Sequence, residues 1–361
     1  MKKSKRIMSL LFTTIIVLGM IFATGCSSKS KALDPASSLV LTIGDSKVYL
    51  NELMYYIYAV EAEGDYYDQM YQQYFNESYW DMEYAEGVTM RDQTKQYIID
   101  TAIMYEVLHD KAVENGYTLT EDEIAEAKNN AETIISSVSK EQLEITGFTS
   151  EVLSNVQQKL MLGEKYYSEV IEGLDINEEE ITASIKYEDY RQYDTEFLFV
   201  PTTTYDETNN LVDLTEEEIK TAKESIDKAL EKVKAGDDFA TIVEADPLIE
   251  TTELSFVYGD GTIESGFQDA AILLENDEIT DTVIEAETGY YIIKMINNDS
   301  KVSYEAAIAD AIASEEETQF NAIYEEILKL YETEVNNTVW DAIKMGETTI
   351  VASASTTTAT E

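Results

Sequence analysis

The sequence predicts an α+β fold in which a small strand–helix–strand module is set inside a mainly helical chain. Three observations lead there. Apolar residues recur at helical spacing through 50–190 and again through 303–332. Between these stretches lie two short runs rich in β-branched and aromatic residues, 195–200 and 290–296, the first followed by a capped amphipathic helix. The length of 361 residues allows two or three domains at about 150 residues each. The helices before and after the module are expected to form one discontinuous domain, 39–190 plus 301–346, around an insert at 193–297. A disordered tail is expected over 347–361.

Each element has a local reason. Two apolar runs over 39–49 flank Gly44-Asp45-Ser46 and read as a hairpin. Residues 50–85 read as helical and carry many tyrosines among acids, and 91–115 place Ile98, Ile99, Ala102, Ile103 and Val107 on one face. Gly116 stops that helix, and Thr120 with Glu123 forms a capping box that starts the next. Further helices are expected at 139–145, 149–172 and 177–190. In the module, Thr215 and Glu218 cap a helix that Gly236 closes. Short helices at 238–244 and 267–274, with a glycine-bearing loop at 259–266 between them, precede the second strand.

Composition narrows function. Hydrophobic residues make up 44% and charged residues 27%, a globular mixture. A net charge of −47 excludes a nucleic-acid binder, which needs a basic face, and an electrostatic hold on anionic lipid. One cysteine and one histidine exclude a disulfide framework, Cys-rich zinc or iron–sulfur sites and multi-His metal sites, so no metal or cofactor is expected.

Residues 1–25 have a basic start (Lys2, Lys3, Lys5, Arg6), an apolar run and small residues before Cys26, the layout of a secretory signal. A membrane anchor is the competing reading of so long an apolar run. Ala23-Thr24-Gly25-Cys26 resembles a bacterial lipobox, with Ala23 where Leu is usual. That resemblance implies cleavage before Cys26, lipid on its thiol, a tether over 26–38 and a protein anchored at the extracytoplasmic face of the cell membrane. Losing the four signal cations leaves a charge of about −51.

Two stretches carry a family resemblance. One is Lys234-Ala235-Gly236-Asp237-Asp238-Phe239-Ala240. The other runs through Gly266-Phe267-Gln268-Asp269-Ala270-Ala271, Glu278-Ile279-Thr280-Asp281 and Gly289-Tyr290-Tyr291-Ile292-Ile293-Lys294. In order and spacing they resemble parvulin-type peptidyl-prolyl isomerase domains, which have an FKBP-like β-α-β fold. The flanks, Ile43–Val48 and Asn115–Thr120, are similar to PrsA/SurA-type extracytoplasmic foldases.

The resemblance implies a helical chaperone domain, built from an N-terminal hairpin plus helices and a C-terminal helix, that binds unfolded exported proteins. A second copy of the chain is an open alternative as partner. It puts Ile263 and Phe267 in a proline pocket and Asp246 at the Cys/Asp position of a polar floor. Glu196 and Tyr291 fall where the family has its two histidines. An X–Pro bond rotates over a barrier of about 18–20 kcal/mol, so the pocket must hold the ring and stabilise the twisted amide. Without the imidazoles, catalysis is expected to be weak or lost. A fully active isomerase and a non-catalytic surface or solute-binding lipoprotein are the alternatives.

Other features read more plainly. His109, beside Asp110 on a helix, reads as a packed or surface histidine. The acidic runs at 178–180, 216–218 and 315–317 read as helix-start charges. The tyrosines of 55–84 fit either a buried helix face or an aromatic, acidic cleft for unfolded chains, because core and cleft tyrosines share one pattern.

Overall fold

The structure, a computed structural model, describes residues 33–206 and 210–350. The signal segment 1–25, Cys26, the tether up to 32 and the tail from 351 lie outside the described residues. The chain divides into two compact units. Unit 1 comprises the chain up to Leu174 and from Gln319 on, and unit 2 is Asp175–Thr318. The boundaries fall inside the stretches read as one helical domain from sequence, so residues 175–190 and 301–318 go with unit 2.

Unit 1 opens with the hairpin β1 (Leu39–Ile43) and β2 (Ser46–Tyr49). Residues of the expected tether are already folded here: the Leu50 and Asn51 N–H groups donate to Ser38 and Pro35 carbonyls. Helix α1 (Leu50–Phe75) buries Leu50, Asn51, Leu53, Met54, Ile57, Glu61 and Gly64, and nothing after Gly64. It stops at Asn76, whose φ of 55° lies in the left-handed region. The helix expected to run to 85 is therefore shorter. A 3-10 turn with Trp80 and the small ribbon β3 (Glu83–Ala85) and β4 (Val88–Thr89) follow.

Thr89 caps α2 (Met90–Glu114), and Thr120 caps α3 (Glu121–Ser137) through the expected box with Glu123. Helices α4 (Lys140–Thr146) and α5 (Ser150–Glu172) complete the first segment. The core joins β1, α1, Trp80, α2 and α5 residues such as Leu41, Leu53, Ile57, Ile98 and Leu153.

Unit 2 begins with α6 (Glu178–Ser184), shorter than the 177–190 expected. Strand β5 (Gln192–Pro201) leads to a ribbon, β6 (Thr203–Tyr205) with β7 (Leu211–Asp213). Then come α7 (Glu216–Ala235), α8 (Phe239–Ala245), β8 (Glu250–Val257), α9 (Ser265–Ala271), β9 (Ile284–Glu285) and β10 (Gly289–Ser300). The sheet runs β8-β5-β10-β9, and every pairing is antiparallel. Helices α7 and α8 pack on one face through Ile226, Ala229, Phe239 and Ile242, and α9 on the other.

Helix α10 (Val302–Leu328) carries the second boundary, and β11 (Thr333–Val335) and α11 (Asn337–Trp340) end the described chain in unit 1. Strand β11 pairs with β1, Leu41 opposite Val335. Lys95 Nζ donates to the Trp340 and Ile343 carbonyls at 2.7 and 2.8 Å. The fully buried Glu61 carboxylate accepts the Gly346, Thr348 and Thr349 N–H groups at 2.7, 3.1 and 2.6 Å, and the Thr349 hydroxyl. Residues 347–349 are thus held, where a disordered tail was expected from 347. Gly346 is required at its place: φ is +83°, and a Cβ would run into the Trp80 ring.

Removing the Glu61 carboxylate leaves several N–H groups without an acceptor. Glu61→Ala should lower the stability of unit 1 by about 2–3 kcal/mol. The exposed Glu63→Ala should stay within about 0.5 kcal/mol. Tryptophan fluorescence in urea reads this unit alone, because the chain's two tryptophans, Trp80 and Trp340, both lie in it.

Candidate functional site

The pairing of β5 with β10 sets Tyr291 opposite Phe199 and Ile293 opposite Phe197. Strand alternation then gathers Tyr193, Phe197 and Phe199 on one face with Tyr291, Ile293 and Met295. Helix α9 covers this face and inserts Phe267, which is fully buried. Its ring stands edge-on to Phe197 at 5.0 Å and Tyr291 at 5.2 Å between centroids, and Phe199 lies 4.7 Å from Tyr291. Ile263 and Phe199 are half-buried at the rim. Gly289 permits the close approach: a Cβ there would meet the Phe199 ring and the Val200 carbonyl.

A polar edge borders the rings. The Tyr291 hydroxyl donates to Glu264 Oε1 at 2.6 Å, and the Thr288 hydroxyl donates to the same oxygen at 2.6 Å. The Thr288 N–H and Glu287 N–H donate to Glu264 Oε2. Burial, with the adjacent Glu264 carboxylate, pushes the Tyr291 phenol far above its usual range, so it remains a donor at neutral pH. Behind this edge Gln268 binds the 259–263 loop, accepting from Gly259 N–H at 2.7 Å and donating to Asp260 and the Ile263 carbonyl.

Of the five residues assigned to the proline site from sequence, Ile263, Phe267 and Tyr291 come together here. Glu196 does not. It stands between Thr195 and Phe197, so its side chain takes the opposite sheet face, 3.6 Å from Lys294. Neighbouring residues of a strand face opposite sides of the sheet, so a side chain one position away from Glu196 faces the rings. Phe197 is the β5 residue against Phe267 and Tyr291. Asp246 does not join the site either. Its carboxylate accepts from the Ser225 hydroxyl at 2.6 Å and the Leu248 N–H at 3.1 Å, on the α7–α8 side. The Ser225 hydroxyl holds this carboxyl below the usual range.

The residues missed are Phe197, Glu264 and Thr288. The alternation of Phe197 with Phe199 could have marked Phe197; nothing in the spacing marks the other two. Unit 2 contains no histidine, since the chain's one histidine, His109, lies on α2 in unit 1. Among the described residues no group of His, Cys, Asp or Glu side chains is arranged to hold a metal ion, and no helix is long and apolar enough to cross a membrane.

Residues 205–297 match the rotamase family of PPIC-type PPIase domains. Unit 2 contains a PPIC-type domain. The match starts beyond β5. Two curated relatives are similar over 97 residues: the foldase protein PrsA of Lacticaseibacillus paracasei at 33% identity and that of Lactococcus lactis subsp. cremoris at 32%. Each alignment covers 25% of this chain and 32% of the relative, so the chain matches about a third of these proteins' length.

Solved structures are similar over more of the chain. PrsA of Lactococcus lactis aligns over 84% of this chain and 97% of its own, with 16% identity and a TM-score of 0.34. A SurA-like chaperone of Campylobacter jejuni aligns over 83% and 99%, with 9% identity and a TM-score of 0.32. The resemblance to PrsA-type foldases with a parvulin-type domain, expected from the motifs, is borne out.

His109 is half-buried and lines a cavity of about 670 Å³ in unit 1 together with Lys159, Glu52 and Asn155. Lys159 bridges Glu52 and Glu106 at 2.8 and 2.5 Å beside it. Burial lowers the His109 pKa. The neutral form is therefore favoured in the folded state, and its contribution to stability is present above pH about 6.5 and lost as pH falls through the folded value. The single imidazole signal in an NMR titration should show a midpoint below about 6.5. A midpoint above that value would show that the carboxylates, not burial, dominate.

Proposed function

We propose that this chain is an extracytoplasmic foldase that binds unfolded exported proteins, with its PPIC-type domain retained mainly as a binding scaffold. The observation that carries this reading is a PPIC-type domain whose ligand face is filled by its own rings. Phe197 and Tyr291 pack around Phe267, which has no exposed surface, and unit 2 contains no histidine. What a proline ring meets from solvent is the rim at Phe199 and Ile263. The polar group nearest the rings is Glu264, which is already occupied by donors from Tyr291, Thr288 and Glu287. Such a face offers apolar contact to an extended chain, but no free donor or acceptor to stabilise a twisted amide.

Isomerisation of a proline-containing peptide should run about 10–100-fold slower than in a two-histidine parvulin measured alongside, equivalent to roughly 1.4–2.7 kcal/mol of transition-state stabilisation. The chain should still suppress aggregation of a denatured client. Phe197→His together with Tyr291→His should raise the isomerisation rate. A native rate equal to that of the two-histidine enzyme would overturn the scaffold reading. Absence of client protection would overturn the foldase reading.

The reading includes lipid attachment at Cys26, supported by the small residues Ala23, Thr24 and Gly25 before the sole thiol. Cys26→Ala should release the protein from the membrane fraction or leave its signal attached. A correctly cleaved variant that still partitions into detergent would show the anchor to lie elsewhere.

A further inference from the structure

The second half of α1 is the least expected surface of unit 1. No side chain beyond Gly64 is buried, yet the helix continues to Phe75. Tyr66, Tyr74 and Phe75 are 69, 70 and 64% exposed, and Tyr84 on β3 is 57% exposed. The sequence left open whether these tyrosines are core. The structure divides them: Tyr55, Tyr56, Tyr58 and Tyr79 pack on the core, whereas Tyr66, Tyr67, Tyr74 and Tyr84 are exposed.

This surface is held in place rather than loose. The Trp80 ring lies against Gly64, where a Cβ would clash with it. The Tyr79 ring lies tilted against Tyr67 and Tyr71 at 5.6 and 6.0 Å, and the Ser78 hydroxyl donates to Asp68 at 2.5 Å. Its charge is of one sign. From Glu61 to Met90 the chain has eight acids and no Lys or Arg. The next cation, Arg91, is bound to Asp81 at 2.9 Å.

We propose that this ridge, centred on Tyr66, Tyr74 and Phe75, is a docking surface for extended cationic peptide segments, those rich in Lys and Arg. Ring faces accept ammonium and guanidinium groups, and exposed carboxylates such as Glu63 and Glu77 supply the complementary field. The occupant follows from charge complementarity: a surface of acids and open ring faces with no cation of its own repels acidic chains and attracts basic ones. The inference rests on the foldase reading and adds to it a chemical class of client and a place where that client binds.

The test uses the full chain and two unstructured peptides of equal length, one rich in Lys and Arg, the other with each cation replaced by Gln. Fluorescence anisotropy at low salt should show the cationic peptide bound at least about tenfold tighter, with the difference shrinking as salt is raised. The triple variant Tyr66→Ser, Tyr74→Ser, Phe75→Ser should lose most of that preference, while its tryptophan-fluorescence melt stays where it was. Glu63→Gln with Glu77→Gln should weaken the salt dependence. Equal binding of both peptides, or a triple variant that keeps the preference, overturns the ridge. Protection of a denatured client is measured in parallel. Protection without cation preference leaves the foldase reading standing and the ridge refuted. Cation preference without protection does the reverse.

Discussion

Gln192 at the start of β5 lies opposite Ser300 at the end of β10, and the Ser303 hydroxyl donates to the Gln192 side chain at 2.6 Å. This one antiparallel pairing has two consequences. It builds the platform on which Phe197, Phe199 and Tyr291 share a face. It also brings the two ends of the inserted sheet side by side. Unit 1 is assembled from chain segments that Asp175–Thr318 separates. Closing a flexible loop of that order costs about 4–5 kcal/mol. A sheet whose ends at Gln192 and Ser300 lie side by side removes part of that cost. The C-terminal segment can then reach β1, Lys95 and Glu61, which together hold β11 and residues 336–349 to the N-terminal core.

The contacts made by that returning segment differ in how they tolerate change. The β1–β11 ladder is short and its backbone bonds are indifferent to sequence. Glu61 is specific: one carboxylate accepts three backbone N–H groups and a hydroxyl from a stretch with no other secondary structure. An acid placed on the core face of a helix reads as a fault in the apolar pattern until the distant segment that it binds is known.

Local signals were legible in the sequence where the physics is local. The boxes Thr120–Glu123 and Thr215–Glu218 start helices as read, and Gly236 ends one at φ 101°. Long-range pairings were not legible. Strand β8 alternates only weakly and is mostly exposed, and β11 is three residues that become a strand because β1 is beside them. The site was half legible. Ile263, Phe267 and Tyr291 follow from the family resemblance of one continuous stretch. The β5 partner depends on strand register: Glu196 and Phe197 are neighbours, and Phe197 is the one that faces the rings. The tyrosines of α1 could not be sorted by pattern, since a ring that packs and a ring that waits for a partner obey the same period.

The placement of charge bears on what the acids of α1 are for. In α3 and α7 the acids crowd the first turn, where the helix dipole favours them, and α7 ends on Lys232 and Lys234. Helix α1 does the opposite. Its last turn has no basic residue, Asp68 lies one turn before it and Glu77 just past it. Each carboxylate near a helix C-terminus costs about 0.3–1 kcal/mol when unscreened. Asp68 recovers part of this through Ser78 and Gln72, but Glu77 is exposed. Folding alone gives no reason for an acidic, ring-bearing helix end with nothing buried beneath it. A cationic ligand laid across it would turn the same charges from a cost into an attraction.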